Sequence, residues 1–232
     1  MKYQAIIFDL FGTLVDIFSR REYDRVLSEM AAALTIPPRE FSQAWISGGD
    51  ARTMGTVISP MGSLLEVCRA LRFTPAQAQL ELASQARLNY YLRNLKPRPD
   101  AVEVLTELKQ RGHVIGLISN CATEMLASWQ ESPLSRLIES PVFSCSVGLK
   151  KPDHRIYEMA ASTLGVRPQA CFYVADGDNG ELQGATDVGM HAVRIRAPYE
   201  VTGDSLRVNE EDWQGTTITS LRSVLGMADA AS

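Results

Sequence analysis

The stretch Gln4-Ala5-Ile6-Ile7-Phe8-Asp9-Leu10-Phe11-Gly12-Thr13-Leu14 decides how the rest of the chain is read. Ala5 to Phe8 run without a polar break and then meet a carboxylate and, shortly after, a glycine. A strand that is apolar on both faces belongs to a parallel sheet covered by helices. In such an open sheet, ligands sit beyond the carboxyl ends of the strands, where Asp9 stands. An aspartate there can also do no more than accept turn hydrogen bonds, so the reading depends on what the other strand ends carry.

Working outward, residues 4–10, 114–118, 142–145, 171–175 and 191–195 read as strands, short, apolar and rich in β-branched or aromatic residues. Between them lie apolar stripes at three-to-four-residue spacing, such as Val102, Leu105 and Leu108, or Ile156, Met159, Ala160 and Leu164. The expected fold is α/β, a Rossmann-like parallel sheet with helices on both faces. Strands one and two stand far apart, and residues 16–95 between them are too many for a loop. Helices are expected over 21–34, 38–45, 60–71 (with Ser59 as N-cap) and 75–92. We therefore expect a helical cap at 16–95 and an α/β core at 1–15 and 96–232, with Lys96-Pro97-Arg98-Pro99 as the exit hinge. The tail 227–232 is expected to fray.

Composition narrows the partners. With 232 residues, 45% apolar and 22% charged, the chain can bury a substantial core. A net charge of −4 without a basic run speaks against nucleic acid or an anionic membrane. No apolar stretch is long enough to span a bilayer and no secretory signal is evident, so a cytoplasmic location is expected. Cys68, Cys121, Cys145 and Cys171 are widely spaced, and His113, His154 and His191 have no ligand-spaced neighbours, which argues against both a disulfide framework and a zinc site. The state expected is monomer or homodimer.

Three more polar residues close strands or follow them. Ser119 ends strand two in Leu117-Ile118-Ser119-Asn120, and Lys151 follows strand three in Gly148-Leu149-Lys150-Lys151-Pro152-Asp153. Asp176 ends strand four in Tyr173-Val174-Ala175-Asp176-Gly177-Asp178. Two carboxylates, a hydroxyl and an ammonium converging from four loops suit a displacement split in two by a carboxylate nucleophile, with the ammonium neutralising charge. Ser119 is also a candidate N-cap for a helix over 121–129. Asp178 reads as a turn residue, Lys150 as a solvated one, and Phe41 with Trp45 as cap core.

In order, spacing and position of the insert, these residues resemble the four motifs of the haloacid dehalogenase-like superfamily, over the chain to about Arg196. The resemblance implies Asp9 as nucleophile, Ser119 as binder of the transferring group and Lys151 as bridge between the two. It implies magnesium held by Asp9, Asp176, Glu181 and the main-chain carbonyl of Phe11. Phe11, Thr13 and Asn120 are expected substrate contacts, and Arg52, in a glycine-flanked loop, is a candidate to reach a small anionic metabolite from the cap.

Two features pull apart. Phosphatases of the superfamily usually have a second aspartate two residues after the nucleophile as proton donor. Here Phe11 stands there and cannot transfer a proton. The resemblance to the metal-free dehalogenase branch is closer at this point, because a halide leaves without a proton. The fourth motif, Asp176 to Ala185, instead carries Asp176, Asp178 and Glu181, a density of hard oxygen ligands that suits magnesium. Clustered carboxylates without a cation repel one another. On that ground the sequence favours a magnesium-dependent hydrolase of a small phosphorylated metabolite over a 2-haloacid dehalogenase, with a catalytically impaired binding protein as the third reading.

Overall fold

A computed structural model describes residues 3–57, 59–200, 202–207 and 209–229. Among these, six strands form one sheet in the order β3-β2-β1-β4-β5-β6. They are β1 (Ala5–Phe8), β2 (Val114–Ser119), β3 (Ser140–Phe143), β4 (Cys171–Ala175), β5 (His191–Ile195) and β6 (Thr217–Ile218), and every neighbouring pair is parallel. The α/β class read from the sequence holds. Strand three ends at Phe143 rather than Cys145, because Ser144–Val147 turn into a short helix closed by Gly148 in the left-handed region. The short edge strand β6 was not foreseen.

Strand β1 lies at the centre, and its register shows how both faces are used. Ile6 and Phe8 pack in one apolar cluster with Leu117, Phe172 and Val174. Ala5 and Ile7 pack in the other with Tyr173 and Ala175. Phe8 is level with Leu117 on one side and Val174 on the other. Asp9, Ser119 and Asp176 therefore emerge side by side at the carboxyl edge, and Asp9 N–H still donates to Val174 O at 2.9 Å.

Between β1 and β2 the chain forms α1 (Arg20–Ala33), α2 (Pro38–Ser47), α3 (Gly49–Thr53), α4 (Pro60–Ala70), α5 (Gln77–Asn94) and α6 (Ala101–Gln110). Helices α1, α2, α4 and α5 pack on one another, and α5 also meets α7 (Thr123–Trp129) of the sheet's own layer. Ser59 caps α4 as expected, accepting from Gly62 N at 3.0 Å. Residues 49–53 are helical where a flexible loop was expected. Trp45 is fully buried, stacked on Phe41 at 5.8 Å, and its Nε1 donates to Tyr23 Oη at 3.0 Å. Helix α8 is the Ser144–Val147 turn; α9 (His154–Thr163) and α10 (Glu181–Asp187) complete the crossovers. The last helix, α11 (Arg222–Asp229), buries Ala228, so the expected fraying does not reach back to Met227. The final three residues of that expectation lie outside the described ones.

Replacing Trp45 with alanine removes the largest buried side chain of the inserted helices, and losses of about 3–5 kcal/mol are usual for such a cavity. Thermal or denaturant unfolding of Trp45→Ala should show a fall of that size.

Candidate active site

Four loops deliver the site, and Lys151 is its hub. The ammonium is buried and donates to Asp9 Oδ1 at 2.6 Å, to Glu181 Oε2 at 2.5 Å and to Tyr173 Oη at 3.3 Å. Burial alone would lower its pKa; the carboxylates of Asp9 and Glu181 outweigh burial and hold it above the ordinary lysine value. Its backbone is clamped too, since Asn120 Oδ1 accepts from Lys151 N at 2.9 Å and Asn120 Nδ2 donates to Lys151 O at 3.1 Å. Both ends of the Asn120 amide thus hold the lysine loop.

Asp9 is buried, and burial raises its carboxyl to about 6 against the opposing pull of Lys151. Its Oδ2 is buried without a hydrogen-bond partner. Glu181 begins α10 and is fully engaged. Oε2 accepts from Lys151 and from Tyr173 Oη at 3.0 Å, and Oε1 accepts from Gly177 N at 3.0 Å and Asp178 N at 3.2 Å. Burial would raise this carboxyl too, yet Lys151 leaves it below its ordinary value. Asp176 is pushed well above its own by burial, then by Glu181 and Asp9. Its Oδ2 accepts from Arg207 Nε at 2.7 Å. Asp178 serves the turn, accepting from Asn209 N at 2.9 Å.

Carboxylate oxygens of Asp9, Asp176 and Glu181 lie within 4.8 Å of one another. With the partnerless Asp9 Oδ2, this donor set fits a hard divalent cation. The chain nevertheless brings two cations of its own, Lys151 and Arg207. These two cations offset part of the repulsion among the three carboxylates that the sequence reading assigned to magnesium.

The remaining expected residues divide. Thr13 and Ser119 are buried, and each hydroxyl lacks a hydrogen-bond partner. Ser119 does not cap a helix: α7 begins at Thr123 after Ala122. Phe11 packs its ring on Phe18 at 4.5 Å and faces Tyr91 at 6.4 Å. Arg52 is not gathered with the others. It is buried among the inserted helices, donates to Trp45 O at 2.6 Å and lies 4.0 Å over the Trp45 ring. The helical turn of α3, where a loop was expected, aims it there. Lys150 is paired with Asp50 of α3 at 2.6 Å rather than simply solvated.

Sequence reasoning missed Tyr173, Arg207 and a polar group on the seam between the inserted helices and the sheet. There, buried Glu124 has both oxygens without hydrogen bonds, and so are Nε and Nη1 of Arg87, 3.8 Å from it at the closest. Tyr90 Oη and Thr123 Oγ1 are also without partners. Buried polar groups are nearly always satisfied, so this concentration of unbonded donors and acceptors is unusual. Glu124, five residues past Ser119, was the legible clue. Cys121 and Cys145 likewise meet, Sγ to Sγ at 3.9 Å, where the sequence shows only distant cysteines.

Residues 3–189 match the family model described as haloacid dehalogenase-like hydrolase. Over 199 residues the chain is 32% identical to (S)-2-haloacid dehalogenase 4A of Burkholderia cepacia, covering 83% of this chain and 82% of that one. It is 34% identical over 134 residues to a glyceraldehyde 3-phosphate phosphatase of Methanopyrus kandleri, 54% of this chain and 56% of the other. A dehalogenase crystal structure with an intermediate complex superposes with a TM-score of 0.63 at 22% identity, covering 99% of each chain, which bears on the fold. With the motif residues assembled at the sheet edge and the family model spanning most of the sequence, the chain belongs to the haloacid dehalogenase-like hydrolases.

Proposed function

We propose that this hydrolase breaks a bond whose leaving group needs no proton, and that it acts as a 2-haloacid dehalogenase through an aspartyl ester on Asp9. The observation that carries the reading is Phe11, two residues past the nucleophile and walled in by Phe18 and Tyr91. An aromatic ring there cannot protonate an alcohol, and a halide has no need of it. The name of the Burkholderia cepacia relative points the same way.

In this reading Asp9 Oδ2, the oxygen that Lys151 leaves free, attacks C2 of the substrate. A carbon–oxygen bond forms, the carbon–halogen bond breaks, and the electron pair departs with the halide. Water then attacks the ester carbonyl of Asp9 and the acyl–oxygen bond breaks; one water proton goes to the leaving alkoxide, giving the 2-hydroxy acid, and the other to solvent, restoring the carboxylate. Lys151 holds Oδ1 throughout and favours the ionised form. Ser119 and Thr13, with hydroxyls free of partners, are placed to bind the substrate's carboxylate. The helices of residues 16–95 serve as a cap over residues 1–15 and 96–232, excluding bulk water from the ester.

A second reading is favoured by the proximity of the Asp9, Asp176 and Glu181 oxygens. Those residues, with the Phe11 carbonyl, would hold a magnesium ion, which would supply charge neutralisation for an incoming phosphate monoester. It lacks the proton donor, and Arg207 already neutralises Asp176.

Purified protein incubated with short 2-haloacids should release halide, and Asp9→Asn should lower the rate by about a thousand-fold or more. No halide from any short 2-haloacid, with chelator-sensitive phosphate release in its place, would reverse the two readings. The rate should also follow the ionisation of Asp9. Because its carboxyl is raised to about 6, kcat/KM should fall as pH drops through that value and level off above it. Phe11→Asp restores the missing acid, and a gain of about 100-fold in phosphatase rate, measured as inorganic phosphate released, is expected.

A further inference from the structure

We propose that Arg207 is a built-in counter-cation for Asp176, and that it lowers the affinity of the carboxylate cluster for divalent metal ions. Arg207 lies outside the 3–189 span that the family model matches.

The geometry is that of a fixed group. Arg207 Nε donates to Asp176 Oδ2 at 2.7 Å, and the two side chains are only 6% and 2% exposed. On its other side, Arg207 Nη2 donates to Glu200 Oε2 at 2.7 Å. Glu200 Oε1 accepts from Arg98 and, at 3.1 Å, from Ala197 N. Arg98 in turn donates to the carbonyl of Gly12, in the loop that follows the nucleophile, at 2.7 Å. Asp176, Arg207, Glu200 and Arg98 thus form a chain of alternating charge ending beside the residue it began from. A Cβ on Gly12 would fall 2.1 Å from Asp176 Oδ2, so that oxygen lies flush against the same loop. Arg196 adds a second cation, donating to the Asp176 carbonyl.

A divalent ion on Asp176 would face a guanidinium already bonded to one of its oxygens. Swinging Arg207 away would leave Glu200 with fewer partners and an arginine to be rehoused, so the obstacle is not a loose side chain. Lys151 and Arg207 offset two of the three carboxylate charges of Asp9, Asp176 and Glu181. The inference concerns binding of the metal alone, and it stands or falls separately from which bond the enzyme breaks.

The test is Mn2+ binding to the full-length protein, followed by calorimetry and by the electron-spin signal of free Mn2+. Arg207→Gln should bind Mn2+ about 100-fold more tightly than the parent, the scale on which groups behind a ligand tune a metal site. Arg207→Lys, which keeps the charge, should stay near the parent, and Arg207→Gln combined with Asp176→Asn should lose the gain. Equal affinities for the parent and Arg207→Gln would overturn the proposal. If Arg207→Gln fails to fold, Glu200→Gln loosens the arginine while Asp176 stays intact. It should gain about ten-fold in affinity, and no gain would equally overturn the proposal.

Discussion

Everything at the sheet edge depends on one buried ammonium satisfying two buried carboxylates. Lys151 Nζ meets Asp9 and Glu181 within 2.6 Å, and all three side chains are withdrawn from water. Each charge alone would carry a heavy desolvation cost, and together they are tolerable only with such close geometry. Three separate loops must therefore arrive in register. The parallel sheet supplies that register, since adjoining strands end level with one another, and Asn120 clamps the lysine backbone from the end of β2.

The same constraint explains the asymmetry of Asp9. One oxygen is committed to Lys151 and the other has no partner. A carboxylate held by one edge leaves the opposite edge unbonded, with burial favouring protonation and the lysine opposing it. The balance leaves Asp9 at about 6, so the group is ionised at neutral pH without being stabilised into inertness.

Much of this was legible in the sequence, and the failures have physical causes. The unbroken apolar run before Asp9 identifies a central strand because both faces must be buried, and Ile6 and Ile7 do enter opposite clusters. Asp9, Ser119 and Asp176 were readable because strand ends are marked by a change from apolar to polar, and Lys151 because its loop follows strand three. Arg52 was misplaced because the glycines before it suggested a loop, whereas residues 49–53 close a helical turn that aims the side chain at Trp45. Arg207 left no local signal. Its meaning arises from a contact with Asp176 across 31 positions of sequence, and no periodicity or spacing encodes a pairing of that reach. The pairing of Arg87 with Glu124 was hidden for the same reason, since α5 and α7 meet only in three dimensions.

The neck joining the inserted helices to the sheet is not a pair of loose threads. Val15 bridges Pro97 in antiparallel fashion, and Arg98 N donates to Leu14 O at 2.8 Å. Outgoing and returning chain are laced together beside the catalytic loop. Two segments joined in this way resist twisting about each other, which fixes the direction in which the inserted helices leave the sheet. The inserted helices are thus tethered by a short, doubly held neck directly beside the loop that carries Asp9 and Gly12.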